Sequence, residues 1–153
     1  MRARVAALLV LLAAAPVIVA AEEPPLPEVA AALDRIRYRS TIELTTTGRK
    51  TGKEHTKPIW FVVSDGKIIV QAGKDGKADW YQNLLETPAA LVRRDGYLFR
   101  VRAKPVTDPA RVEAIHRMFL DKYTSAWLLS FFGSSIGRGK PMELAPVAVA
   151  VSR

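Results

Sequence analysis

Two of the three Asp-Gly dipeptides, Asp65-Gly66 and Asp95-Gly96, set the strongest limit on how this 153-residue chain can fold. Each lies between apolar, β-type runs: 59–64 and 67–71 around the first, 90–94 and 97–104 around the second. A two-residue loop of this type needs positive φ at both positions, which Asp tolerates and Gly adopts freely. The chain then returns antiparallel to itself, so four strands are committed to two hairpins. Alternation fixes the faces of the last strand: Tyr97, Phe99 and Val101 point one way, Arg100 and Arg102 the other.

A third hairpin precedes these. Thr41, Ile42, Leu44, Thr45, Thr46 and Thr47 lead into a turn in which Gly48 and Gly52 bracket Arg49, Lys50 and Thr51, and the run Pro58-Ile59-Trp60-Phe61-Val62-Val63 follows. Arg49, Lys50, Lys53 and Lys57 are four cations within nine residues. Glycines let a backbone approach a ligand, and clustered Arg and Lys attract phosphate or carboxylate. The same composition also serves as a solvated tip that keeps an edge soluble. It is not a Walker A loop: the glycines are one residue too close, and Glu54 follows Lys53 where Ser or Thr is required.

A second glycine-rich basic loop, residues 73–77, joins a strand to a short helix. Asp79 and Gln82, three apart, predict an N-cap with its capping-box partner, and Pro88 ends the helix by Thr87. A helix N-terminus favours an anion, but Asp79 would compete for it, so a ligand's charge is expected on Lys50 and Lys74. Trp60 and Trp80 offer faces to an aromatic ring, although tryptophan in so small a barrel is ordinarily core.

Elsewhere, Val29, Leu33 and Ile36 mark a helix over 26–39, and Val112, Ile115, Phe119, Tyr123 and Ala126 a second, capped by Thr107 or Asp108 with Pro109 in its first turn. His116 beside that stripe is expected to be packed or hydrogen-bonded rather than a ligand. Alternating Val147, Val149 and Val151 predict a closing strand over 142–151, broken by Pro146. Six antiparallel strands with few helices predict an α+β domain over residues 28–153, its sheet closed into a small barrel with Ile42, Leu44, Phe61, Ile68, Val70, Phe99 and Val101 facing the interior.

Before that domain, Arg2 and Arg4 precede an apolar run over 5–21, which ends at Glu22-Glu23-Pro24-Pro25. This is the pattern of an export signal cleaved after Val19-Ala20-Ala21; an uncleaved anchor is the alternative. Residues 22–27 read as an extended linker, and the protein is expected in the periplasm or cell envelope. Net charge is +8, or +6 once Arg2 and Arg4 are set aside. Such a surface suits an anionic small ligand or anionic lipid, and export disfavours nucleic acid. The apolar patch 127–132, WLLSFF, suits lipid contact, the cover of a homodimer, or internal packing. No cysteine is present, and the two histidines form no metal spacing, so a thiolate site is excluded and zinc disfavoured. Neither a dinucleotide fingerprint, a serine elbow nor a convincing carboxylate pair is found, so a catalyst here would borrow its reactivity from a cofactor.

The motif TTTGRKTGK, a Pro-Ile-Trp strand, a DG turn, a glycine-rich loop and DWYQNLLETP, in that order, resembles the deazaflavin-dependent nitroreductase family over residues 41–107. Gly48-Arg49-Lys50-Thr51-Gly52 matches its G-R-K-[ST]-G turn, and Trp80-Tyr81-Gln82-Asn83-Leu84 its W-Y-x-N-L helix. The resemblance implies a split β-barrel of the pyridoxine-phosphate-oxidase-like kind. It implies an F(420)-type deazaflavin coenzyme, with FMN as the alternative, held by Arg49, Lys50, Thr51, Pro58, Trp60, Ala72, Gly73, Lys74, Trp80 and Asn83. Among these, Lys50 and Lys74 would meet the phosphate or oligoglutamate tail, and Pro58, Trp60, Ala72 and Gly73 would line the ring. The chain departs from the family at His55, where arginine is common, and in a shortened second loop; the family's substrate-positioning tyrosines have no clear counterparts. The implied activity is hydride transfer to a hydrophobic acceptor such as a quinone or nitroaromatic. The competing reading is a non-catalytic exported protein that holds an apolar or anionic ligand, with contact to the membrane surface as a further variant.

Overall fold

The structure, a computed structural model, describes residues 25–123 and 138–151. The expected export signal, residues 22–24 of the linker, Ala126 and the WLLSFF patch lie outside those residues. In chain order the elements are α1 (Pro27–Ile36), β1 (Thr41–Thr47), β2 (Glu54–Ser64), β3 (Lys67–Ala72), a 3-10 turn (Lys74–Gly76), α2 (Asp79–Glu86), β4 (Ala89–Arg94), β5 (Tyr97–Pro105), α3 (Pro109–Lys122) and β6 (Lys140–Val151). The strands close in the order β1-β2-β3-β6-β5-β4, and every neighbouring pair is antiparallel. The expected six-stranded barrel is present.

Both Asp-Gly turns have the left-handed backbone their sequence demands, with φ of 52° and 69° at Asp65 and Gly66, and 49° and 78° at Asp95 and Gly96. These turns lie at one end of the barrel. All seven residues expected inside are buried and belong to one cluster. Val29, Leu33 and Ile36 of α1 join it, as do Trp80, Tyr81 and Leu84 of α2. By contrast, α3 packs outside, where Ile115, Phe119 and Tyr123 meet Val62 of β2 and Ile69 of β3. Asp108 caps α3 by accepting from the Arg111 backbone N–H at 2.8 Å.

The long β2 serves two partners. Its first half pairs with β1 as far as Thr41↔Trp60, and its second half pairs with β3 from Phe61↔Val70. Where β1 gives out, the Tyr123 hydroxyl takes over, accepting from the Phe61 N–H at 3.0 Å. It stands 2.8 Å from the carbonyls of both Ser40 and Phe61 and donates its single proton to one at a time. Lys122 donates to the same Phe61 carbonyl at 2.7 Å, with its ammonium 3.8 Å from the centre of the Phe61 ring.

Two expectations are corrected. The closing strand is not broken at Pro146. It runs through on a bulge, with Val101 opposite Pro146 and Arg100 opposite Ala148, so Val147 is the extra residue. A bulge tolerates a residue that has no N–H to give. The bulged Val147 is exposed, as is Val151 at the strand's end, and Met142 and Leu144 are fully buried. The first helix also ends at Ile36 rather than Arg39.

Two outcomes follow from this packing. Phe99→Ala should cost about 3–5 kcal/mol in chemical denaturation, while Val147→Ala, 61% exposed, should stay within about 0.5 kcal/mol; equal losses would put the strand phase wrong. Burial, with Arg37 nearby, pushes Lys122 down to about 8 from an ordinary 10.5. Between those values the unfolded chain holds more protons than the folded one, so this group's contribution makes stability rise as pH climbs through that window. Tyr123, pushed up to about 12 from 10.0 chiefly by burial, has the opposite sign, and stability falls as pH rises between those values. In denaturation curves recorded at pH 8 to 10, Lys122→Met should abolish the rise; an unchanged slope would mean that lysine is not the group responsible.

Candidate binding site at the barrel mouth

At the end of the barrel opposite the Asp-Gly turns, the 48–52 turn faces α2. Hydrogen bonds from the Gly48 N–H to the Lys53 carbonyl and from the Gly52 N–H to the Gly48 carbonyl, both 2.7 Å, close the turn. A Cβ on Gly48 would stand 2.8 Å from Thr51 Oγ1 and 2.9 Å from His55 Nε2, so only glycine lets hydroxyl and imidazole fold over the turn.

A buried amide fixes this turn to the barrel. Asn83 of α2 is 4% exposed. Its Oδ1 accepts from the Arg49 backbone N–H at 3.1 Å and from Arg49 Nη1 at 3.0 Å, while its Nδ2 donates to Oγ1 of buried Thr46 at 3.2 Å. Arg49 also reaches Asp79, with Nη2 3.1 Å from Oδ1 and Nη1 3.4 Å from the backbone carbonyl. The expected capping box is therefore corrected. The N-cap is Ala78, with no side-chain cap, and Asp79 is the first helical residue. Its carboxylate goes to a guanidinium, a stronger, charge-assisted partner than a neutral backbone N–H, and the Gln82 amide goes to the Gly76 carbonyl at 2.8 Å.

The result is a cleft of about 290 Å³ lined by Thr46, Gly48, Arg49, Lys50, Thr51, His55, Lys57, Asp79, Trp80 and Asn83. Register explains its position. His55 pairs with Thr46 and Lys57 with Leu44, so both lie on the face of β2 that lines the barrel interior farther along. Among the described residues neither Lys50 nor Lys57 has an acidic partner, and the sole acidic lining group, Asp79, is engaged by Arg49. A second, shallow hollow of about 430 Å³ includes Glu54 and Arg100, charges of opposite sign, and gathers no comparable set. No cluster of three metal-type ligands occurs among the described residues. His116 is a hydrogen-bonded histidine, 2.8 Å from the Gly139 carbonyl.

Of the ten residues singled out from the sequence, Arg49, Lys50, Thr51, Trp80 and Asn83 meet in this cleft. Pro58, Trp60, Ala72 and Gly73 do not line it. Trp60 stacks on Tyr123, centroids 4.5 Å apart and planes 8° from parallel. Ala72 is barrel core, Gly73 accepts from the Gly76 N–H at 3.1 Å, and Pro58 is exposed opposite Glu43. The side chain of Lys74 lies outside the described part of the structure. Thr46, Gly48, His55, Lys57 and Asp79 were missing from the sequence-derived set. Extending the second strand back to Glu54 would have placed His55 and Lys57, two apart, on one face.

The donor set fits an anionic group such as a phosphate or carboxylate, set against two ammonium groups that have no acidic partner among the described residues. The residues expected to wall an aromatic ring are not gathered at the same place.

A closed antiparallel barrel of this topology, with a basic turn at its mouth, defines a split-barrel protein. Solved structures share the fold. A conserved hypothetical protein from Mycobacterium tuberculosis matches at TM-score 0.64 and 18% identity, over 84% of this chain and 86% of that one. A reductase dependent on F(420)-H(2), FDR-A, matches at 0.51 and 24%, over 69% and 93%. The heme storage protein HutZ from Vibrio cholerae matches at 0.61 and 13%, over 80% and 94%. The model of the F(420)H(2)-dependent quinone reductase family matches residues 29–125, and the chain belongs to that family.

Asn83→Leu removes all three amide bonds and should cost about 1–3 kcal/mol for each buried partner left unsatisfied. Asn83→Asp keeps both Arg49 contacts and should lose less. Urea denaturation, with the Arg49 amide resonance followed by NMR, checks this; equal losses would mean that the amide does not hold the turn.

Proposed function

We propose that the protein is a deazaflavin-dependent oxidoreductase whose barrel-mouth cleft holds the anionic part of the coenzyme and whose acceptor is hydrophobic, of the quinone or nitroaromatic class. Lys50 and Lys57 carry the reading: two ammonium groups without acidic partners among the described residues, the first on the turn that Asn83 holds in place and the second on β2 beside it. Membership of the quinone reductase family supports both the coenzyme and the acceptor class. A reduced deazaflavin, when bound, supplies the hydride, and the protein's tasks are to bind, orient and exclude water. Lys50 and Lys57 bind the charge. Arg49, already engaged by Asp79 and Asn83, orders the turn instead of contributing a free fork. Trp80 and Tyr81 close the barrel interior behind the cleft, their rings edge to face at 5.8 Å.

A charge-assisted hydrogen bond contributes about 1.5–3 kcal/mol, so Lys50→Ala should weaken coenzyme binding about ten- to a hundredfold. The Lys50/Lys57 double change should be non-additive if both touch one anionic group. Lys67→Ala, whose ammonium pairs with Glu143 at 3.2 Å beside the Asp65-Gly66 turn, should leave binding alone. Fluorescence titration with the deazaflavin coenzyme, and separately with FMN, reads this. If neither binds below about millimolar, or if Lys50 and Lys67 prove equally dispensable, the oxidoreductase reading falls.

A further inference from the structure

The cleft is built to attract anions, yet it holds a carboxylate. Asp79 lines it beside Lys50 and Lys57, with a side chain 75% exposed, while its partner Arg49 is 27% exposed. The pairing is incomplete: a single guanidinium nitrogen lies 3.1 Å from Oδ1, and the other nitrogen goes to Asn83. Asp79 does not cap α2, since the helix has no side-chain cap. Its placement is thus not required by the helix start, and in the cleft it has two effects. It occupies the one forked cation available, and it presents negative charge to whatever enters.

We propose that Asp79 is a specificity-determining residue, a built-in counter-charge that makes the cleft discriminate against compact, multiply charged anions. This rests on the reading of the cleft as an anion site and refines it. Coulomb repulsion scales with the product of the charges. A small polyphosphate, which concentrates all its charge inside the cleft, is therefore penalised more by Asp79 than an extended ligand that places one anionic group there and draws the rest of its affinity from elsewhere. Specificity of this kind comes from a repulsive element set against the wrong ligand as much as from attraction to the right one.

The test is a gain of affinity, which damage to the fold does not mimic. Inorganic phosphate and tripolyphosphate are titrated calorimetrically into the purified protein and its Asp79→Asn variant at low and moderate salt. The variant should bind tripolyphosphate about tenfold tighter, equivalent to about 1.4 kcal/mol. The gain for phosphate should be smaller, about threefold, and both gains should shrink as salt rises. Asp79→Glu keeps the charge and should keep the discrimination. Arg49→Gln placed on Asp79→Asn should lose part of the gain, because the freed guanidinium supplies it. If Asp79→Asn melts early, Asp79→Ser, equally uncharged and well tolerated at a helix start, takes its place.

Unchanged or weaker tripolyphosphate binding in the uncharged variants overturns the proposal, as does a gain independent of ligand charge. The deazaflavin coenzyme, titrated in parallel, separates this from the oxidoreductase reading. Polyanion gain without coenzyme binding leaves Asp79 in its role and removes the enzyme. Coenzyme binding without polyanion gain does the reverse.

Discussion

The handover of β2 from one partner to another is the constraint on which the barrel depends. A strand that pairs with β1 over one half and β3 over the other must leave backbone groups facing a gap where the first partner ends, here at Ser40 and Phe61. An unpaired buried N–H costs about as much as a lost hydrogen bond, and water is kept from this one by α3. Tyr123 meets the need with a hydroxyl that both donates and accepts, and Lys122 adds a donor to the same carbonyl. The stack of Trp60 on Tyr123 then covers the bonds with apolar surface. The C-cap residue of α3 therefore joins the residue before β1, the middle of β2 and the outer helix. The raised Tyr123 pKa and the lowered Lys122 pKa follow from that burial, not from chemistry performed there.

Much of the fold was legible because its signals are local. An Asp-Gly pair needs left-handed backbone whatever surrounds it, and alternation assigned all seven interior residues to the right face. What could not be read depends on distant partners. Tyr123 fits a helical stripe and looks like ordinary core; nothing near it in sequence says that its hydroxyl meets a strand 62 residues away. Asp79 and Gln82 have capping-box spacing, but spacing knows nothing of the Arg49 guanidinium that draws the carboxylate off. Pro146 marked an irregularity correctly, and the sheet absorbed it as a bulge instead of a break because β5 on the other side continued the ladder.

The candidate site was half legible for a related reason. The glycine-bracketed turn and the Trp80–Asn83 helix segment were visible as motifs, and the structure brings them together. Lys57 and His55 escaped because the second strand was started at Pro58, where the apolar run begins, whereas pairing with β1 extends it back to Glu54. Polar residues at the mouth of a barrel share a face with its core and yet look like loop in a hydropathy pattern. Trp60, expected from the sequence to face a ligand's ring or to be core, stacks on Tyr123 and does not line the cleft.

The division of labour among the cations decides what the cleft can hold. Arg49 is the natural anion fork of the set, but its guanidinium and backbone N–H are committed to Asn83 and Asp79. That commitment orders a turn that would otherwise lose conformational entropy when a ligand arrives, a cost met in the fold before binding. What remains for the ligand is two lysines, point charges on flexible stems that follow an anionic group without imposing its geometry. A cleft of this kind recognises charge loosely and must take its selectivity from elsewhere: from the apolar body of the ligand, and from the one carboxylate within it. The proposed attraction of an anionic coenzyme and the proposed rejection of compact polyanions meet in one pair of side chains, because Arg49 is ordered by Asn83 and Asp79 while Asp79 is itself the counter-charge.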